Sequence, residues 1–99
     1  MRIDVSARHG HLSQEHQDEI RAKAEKLTHF FNRITMIEVM VDLGEPLKKK
    51  VEVKVDAEHK HDFVALGDHE ELMVAVDLAI DRAQHQIHKY KEKVQDHRG

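Results

Sequence analysis

Hydrophobic residues along this chain recur with two different periods, and the switches between them divide it into six segments. From Arg2 to Ala7 the alternation is strict: Ile3, Val5 and Ala7 fall on one side, Arg2, Asp4 and Ser6 on the other. Period two predicts a half-buried strand. Ser13 predicts a helix start, because its hydroxyl can cap free backbone N–H groups and Glu15 suits the positive end of the helix dipole. Ile20, Ala24, Leu27 and Phe31 then follow at intervals of four, three and four, one helical face. Period two returns from Met36 to Leu43, with Ile37, Val39, Val41 and Leu43 facing one way. Gly44-Glu45-Pro46 predicts a turn. Val51, Val53, Val55 and Ala57 alternate with Glu52, Lys54 and Asp56 in a third strand. After a polar connector over 58–60, Asp62 to Leu66 reads as a shorter fourth strand, closed by Gly67. Asp68 and Glu71 form a capping-box pair. Beyond them Leu72, Val76, Ala79, Ile80, Ala83, Ile87, Tyr90 and Val94 keep helical spacing without interruption. At about 1.5 Å per residue, a helix over 70–94 is roughly 37 Å long. It should project past a typical strand of about 17–20 Å.

The predicted order is β-α-β-β-β-α. Alternating strands need one covered face, and two amphipathic helices supply it. The expected fold class is α+β: a two-layer sandwich, a four-stranded sheet with both helices packed on one face. The helix between the first two strands permits a parallel, right-handed crossover, and the short later turns predict antiparallel pairs. Residues 1–99 read as one domain, with 95–99 a frayed tail.

Composition narrows the function classes. Apolar residues make up 39% and charged residues 35%, polar for a globular domain but short of a disordered composition. The absence of Cys excludes disulfide scaffolds, thiolate zinc sites and thiol catalysis. No apolar stretch is long enough to span a membrane, and the first ten residues lack the apolar core of a signal peptide, so a cytoplasmic address is expected. The formal net charge of −3 excludes a uniformly basic nucleic-acid coat.

That total conceals a segregation. Between Asp62 and Asp81 there are six acids and no Lys or Arg; from Arg82 to Gly99 there are five bases against two acids. Part of this polarity complements the helix dipole. The spacing says more. At about 100° per residue, Arg82, His85, Gln86, Lys89 and Lys93 fall in one stripe, roughly a quarter turn from the apolar face. A basic stripe beside a buried face suits a phosphate backbone. Lys23 and Lys26, late in the first helix, and Arg33 just after it extend the stripe if the helices lie side by side. Lys48-Lys49-Lys50 is expected at a sheet edge, where lysines block aggregation. Phe31, Phe63 and Tyr90 are expected in the core. No aromatic strand signature offers a stacking platform for single-stranded bases.

Ten histidines are many for 99 residues. His9-Gly10-His11, His59-Lys60-His61 and the helical pair His85 and His88 each have metal-ligand spacing. None has a Cys partner or an H-E-x-x-H arrangement, so no metal or cofactor is expected; protonation near neutral pH is the expected consequence. No Gly-rich phosphate loop or nucleophile elbow is present, Ser13 is a cap, and Glu70 and Glu71 are explained as helix-start acids. The chain is not expected to be an enzyme or to take a small-molecule substrate.

The combined pattern resembles the ribosome hibernation-promoting factor and ribosome-associated inhibitor A family, in its short form. The marks are Ile3-x-Val5 followed by Ala7-Arg8-His9 and Leu12-Ser13, then Lys26-Leu27 leading to Phe31-Asn32-Arg33-Ile34. The most specific lie near the end: Gly67-Asp68, Ala75-Val76-Asp77, Ala79-Ile80-Asp81-Arg82 and Gln86-Ile87-His88-Lys89-Tyr90-Lys91, then Lys93. The resemblance runs from Met1 to about Lys93. It implies a factor that binds the small ribosomal subunit in the decoding channel, blocks mRNA and tRNA, and inhibits translation under stress or in stationary phase. By position, the residues it implies against 16S rRNA are Arg8, Lys23, Lys26, Arg33, Arg82, Lys89, Lys91 and Lys93. The stripe read from spacing shares Arg82, Lys89 and Lys93 with that set; Lys91 points away from it.

Some positions depart from the family pattern. Ala7 stands where the family often has Gly, and Ala83, His85 and His88 interrupt a helix that is frequently more basic. No dimerisation extension follows Gly99, so the expectation is a monomer in isolation that acts on single ribosomes or needs another factor. Two other readings compete. A generic double-stranded-RNA-binding domain expects an α-β-β-β-α order and a basic start to its last helix. A His-based metal-binding or protein-interaction module expects imidazoles brought together in space.

Overall fold

A computed structural model gives the architecture and describes residues 1–58 and 61–96. The His59–His61 pair, Arg98 and the end of the expected 95–99 tail lie outside the described residues. The elements run β1 (Arg2–Arg8), α1 (Gln14–Glu25), β2 (Ile34–Asp42), β3 (Lys49–Ala57), β4 (His61–His69) and α2 (Leu72–Asp96). The sheet order is β1-β2-β3-β4. β1 is parallel to β2, with Val5 opposite Val39, and the other pairs are antiparallel. This β-α-β-β-β-α order is the expected one and differs from the α-β-β-β-α order of a double-stranded-RNA-binding domain.

The alternation seen in the sequence becomes two unlike sheet faces. Ile37, Val39, Val41, Val51, Val53, Val55, Phe63 and Ala65 face the helices and are buried. Ile20, Ala24 and Leu27 meet them from the α1 side, and Ala75, Val76, Ala79, Ile80, Ala83 and Ile87 from α2. Each fully buried Val, Leu or Ile contributes about 1.5–3 kcal/mol before entropy is counted. Ile34 and Ile37 both point inward although three residues apart. A bulge at Thr35 restores the phase, shifting the register between Ile34 and Met36.

Several local expectations are corrected. Gly67 does not close the fourth strand: β4 continues through it to His69, with Gly67 opposite Val51. A Cβ there would lie 2.6 Å from the Ala75 carbonyl oxygen and 2.7 Å from the Ala79 nitrogen. The glycine lets the backbone of α2 settle directly onto β4, a packing role that strand length alone does not reveal. Asp68 is therefore a strand residue, opposite Lys50, and not the helix cap. The Glu71 N–H instead donates to His69 Nδ1 at 2.9 Å. The first helix does keep its Ser13 cap, which accepts from the His16 N–H at 3.1 Å. It tightens to a 3-10 turn over Lys26–His29. Phe31 thus lies past the helix, where its ring meets Tyr90 edge-on at 5.9 Å. Tyr90 packs edge-on against Phe63 as well, at 5.6 Å.

Lys49 and Lys50 are not at a sheet edge, because β3 is paired on both sides. The Lys49 ammonium donates to the carbonyls of Pro46 (2.7 Å) and Glu70 (3.0 Å), tying the β2–β3 turn to the start of α2. The true edges, β1 and β4, are blocked by side chains from the helices. Arg21 donates to the Ile3 carbonyl at one edge. At the other, Arg82 donates to Leu66 O at 2.6 Å and Gln86 to Val64 O at 2.8 Å. Three edge carbonyls that could template another strand, those of Ile3, Val64 and Leu66, are thereby satisfied internally.

Candidate nucleic-acid interface

The contacts of α2 define two flanks. Asp77 and Lys91, about four turns apart, face α1. Asp77 accepts from the Lys23 ammonium at 2.8 Å, and Lys91 donates to the Phe30 carbonyl at 2.7 Å. Arg82 and Gln86 face the other way, over the β4 edge. Helical spacing places Lys89 and Lys93 on this second flank, one and two turns further on. Both are exposed, and among the described residues neither makes an ion pair. One N–H of Arg82 is used by Leu66, but the side chain remains exposed, and its other donors are left for a ligand. Arg82, Lys89 and Lys93 therefore share one surface, held straight by a helix that Gly67 and the β4 carbonyls lock in place.

The remaining expected residues are distributed elsewhere. The two helices do lie side by side, yet Lys23 and Lys26 do not extend the stripe, because α1 packs against the opposite flank of α2. Lys23 is committed to Asp77, with a quarter of its side chain exposed (25%). Lys91 is committed to Phe30. Lys26 and Arg33 are exposed on the α1 side, the first in the 3-10 turn and the second in the connection to β2. Arg8 lies on the far side of the sheet from the helices, beside Asp42 in register. His85 is exposed and adjoins the Arg82 flank, whereas His88 lies 3.1 Å from Glu92.

That far side has its own character. Its rows, read across the four strands, are Arg8–Asp42–Lys50–Asp68, Ser6–Met40–Glu52–Leu66, Asp4–Glu38–Lys54–Val64 and Arg2–Met36–Asp56–Asp62. Seven carboxylates stand against four basic side chains, a formal net charge of −3. Asp42 is the best-partnered carboxylate. Its Oδ1 lies 3.0 Å from His9 Nδ1 and accepts from the Gly44 N–H at 2.9 Å. The bond with His9, then the Gly44 N–H, hold its carboxyl below the usual range. His9 makes that contact from a left-handed backbone conformation (φ 62°) at the turn out of β1. Asp56 shows the opposite case. Loss of water around it, then the carboxyl of Asp62 opposite, push its carboxyl up. Among the described residues its buried Oδ1 has no hydrogen-bond partner. Sequence reasoning missed this division. The strand alternation identified the outward positions, but the charge they sum to becomes visible only once all four strands are in register.

Among the described residues no three metal-capable side chains come together, and no helix is long and apolar enough to cross a membrane. The geometry therefore offers a cationic flank on the helical layer and an acidic sheet face behind it.

Known proteins resemble this chain in sequence and in fold. Residues 3–95 match the family described as Sigma 54 modulation protein / S30EA ribosomal protein. A ribosome hibernation promoting factor of Azotobacter vinelandii is 30% identical over 93 residues, spanning 94% of this chain and 85% of the relative. One from Pseudomonas putida is 30% identical over 95 residues, spanning 96% and 91%. Among solved structures, a ribosomal subunit interface protein from Coxiella burnetii has a TM-score of 0.84 at 21% identity, over 93% of this chain and 99% of that one. The N-terminal domain of Thermus thermophilus Protein Y has a TM-score of 0.80 at 22% identity, over 91% and 99%. These two likenesses concern the fold. With the family matched along nearly the whole sequence, and with relatives at 30% identity over the same span, the chain belongs to the Sigma 54 modulation protein / S30EA ribosomal protein family, alongside the ribosome hibernation promoting factors.

Proposed function

We propose that this protein is a ribosome hibernation factor. It binds the small ribosomal subunit through 16S rRNA in the decoding channel, excludes mRNA and tRNA by occupancy, and so inhibits translation under stress or in stationary phase. The mechanism is competition, with no bond made or broken. Two of its relatives carry the name ribosome hibernation promoting factor. The observation that carries the reading is the β4-side flank of α2, where Lys89 and Lys93 stand exposed in line with Arg82. Ammonium and guanidinium groups spaced about two turns and then one turn apart on a rigid rod match a phosphate backbone and release its counterions on contact. Lys26 and Arg33 add a second line of contact from the α1 side. Lys23 and Lys91 act chiefly by fixing the two helices relative to each other, and Arg8 belongs to the other face. Because the acidic sheet face repels phosphate, the helical layer is the side that meets RNA.

Co-sedimentation with isolated small subunits tests this at two salt concentrations, about 50 and 200 mM. The wild-type chain is expected to pellet with subunits at low salt and to be released at high salt. Lys89→Glu with Lys93→Glu should weaken binding about a hundredfold, removing two phosphate contacts and adding two repulsions, while thermal unfolding stays unchanged. Undiminished binding by the double variant would sink the assigned flank. No binding of the wild-type chain at either salt would sink the ribosome reading itself.

A further inference from the structure

We propose that the uncovered face of the sheet is a docking surface for a basic, extended polypeptide segment. This inference does not depend on the ribosome reading; it rests on the sheet face alone. A solvent face of an antiparallel sheet normally alternates to polar residues. Here two successive outward positions of β4 are apolar, Val64 (48% exposed) and Leu66 (59% exposed). In the row of Leu66, Met40 stands on the other side of Glu52, so an acid lies between two apolar side chains. The Ser6 hydroxyl donates to Met40 Sδ at 3.4 Å. A depression of about 230 Å³ opens there, with Met40 and Leu66 as apolar walls, Asp42, Glu52 and Asp68 as acids, and Arg8 and Lys50 as the two bases beside them, one acid in excess.

Charge decides the occupant. A face of net charge −3 repels nucleic acid, an anionic lipid surface and an identical face on a second copy. It complements cations. A lysine or arginine suits the depression in particular. Its aliphatic stem lies along Leu66 and Met40, and its head reaches Glu52, the acid whose row carries no base, whereas Asp68 already faces Lys50. An extended segment alternating basic and apolar side chains would repeat that contact over Val64 and Lys54–Glu38. Strand addition is not the route, because the Val64, Leu66 and Ile3 carbonyls already accept from Gln86, Arg82 and Arg21.

The test is a titration of the isotope-labelled full chain, followed by amide NMR, with an eight-residue peptide alternating lysine and valine. Saturating shifts are expected at Ser6, Met40, Glu52 and Leu66, with a glutamate–valine peptide giving none. Glu52→Lys should weaken binding about tenfold, and Lys89→Glu with Lys93→Glu should leave it within about twofold, since those residues lie on the helical layer. If Glu52→Lys perturbs the fold, seen directly in its spectrum, Leu66→Ser serves in its place with a similar loss expected. The proposal is overturned if those amides do not move, if both peptides move them equally, or if poly(U) RNA moves them instead. Self-association through this face, detected by sedimentation equilibrium and removed by Leu66→Ser, would overturn it too.

Discussion

On the α1-facing flank of α2, Lys91 donates to the Phe30 carbonyl and Asp77 holds the Lys23 ammonium. On the β4-facing flank, Lys89 and Lys93 are exposed and make no ion pair among the described residues, while Arg82 and Gln86 bond the β4 carbonyls. The residue types are the same and the helix is the same. What differs is whether a backbone carbonyl or carboxylate lies within reach. A lysine with a partner inside the molecule stabilises the fold and is costly to divert to a ligand. One without a partner contributes almost nothing to stability and is free for a phosphate. Basic residues on a helix therefore divide into ties and contacts according to which neighbour their flank faces.

The comparison is broken most forcefully by moving α2 bodily. Gly67→Ala places a methyl group against the Ala75 carbonyl and the Ala79 nitrogen, both main-chain atoms that cannot rotate away. The helix must lift from β4, at a cost of about 1–3 kcal/mol in overpacking. Because Arg82 and Gln86 reach the β4 edge from that helix, their bonds to Leu66 and Val64 should lengthen together. Chemical denaturation measures the first effect. Faster hydrogen exchange at the β4 amides, relative to β2, measures the second. Unchanged stability would mean that α2 does not rest on Gly67.

A pair of substitutions sharpens the comparison directly. Arg82→Ala and Lys91→Ala each remove a donor from a backbone carbonyl, so each should lower stability by about 1 kcal/mol. Only the first removes a cation from the solvent-facing line. Small-subunit affinity should fall about tenfold for Arg82→Ala, one charge-assisted phosphate contact's worth, and stay within about twofold for Lys91→Ala. Equal losses of affinity would show that the two flanks are not functionally distinct.

Much of this was legible before the structure. The two periods gave the six elements, because burial on one face imposes them whatever the surroundings. The stripe of Arg82, Lys89 and Lys93 followed from helical geometry alone. The misread features all depend on contacts between segments distant in the chain. Gly67 looked like a strand terminator because only the approach of α2 reveals why no side chain fits there. Asp68 reads as a cap, but it belongs to β4, and His69, one residue on, accepts from the Glu71 N–H just before the helix. Lys49 looked like an edge residue because strand order is not encoded in strand pattern. Lys23 reads as an extension of the Lys89 and Lys93 stripe because sequence spacing gives the angle around a helix but not which neighbour occupies that angle.

The same distinction between partnered and unpartnered charge predicts the smallest effect, in the pH dependence of stability. Asp42, partnered by His9 and the Gly44 N–H, has its carboxyl held below the ordinary range. Its stabilising contribution is therefore complete above the unfolded value and is lost as pH falls through the lower folded one. Asp56, losing water around an oxygen that has no hydrogen-bond partner among the described residues, and with Asp62 opposite, has its carboxyl pushed up. The folded state takes up that proton more readily than the unfolded chain. Asp56 thus lowers stability at neutral pH and is relieved as pH falls through its raised value. Replacing each by asparagine removes its titration. Asp42→Asn should destabilise at about pH 7 and Asp56→Asn should stabilise there, and both differences should fade toward about pH 2, where the wild-type carboxyls are protonated. Urea unfolding across that range reads both signs. Two substitutions of the same sign at neutral pH would mean that partnering, which separates the two flanks of α2, does not govern the carboxylates of the sheet.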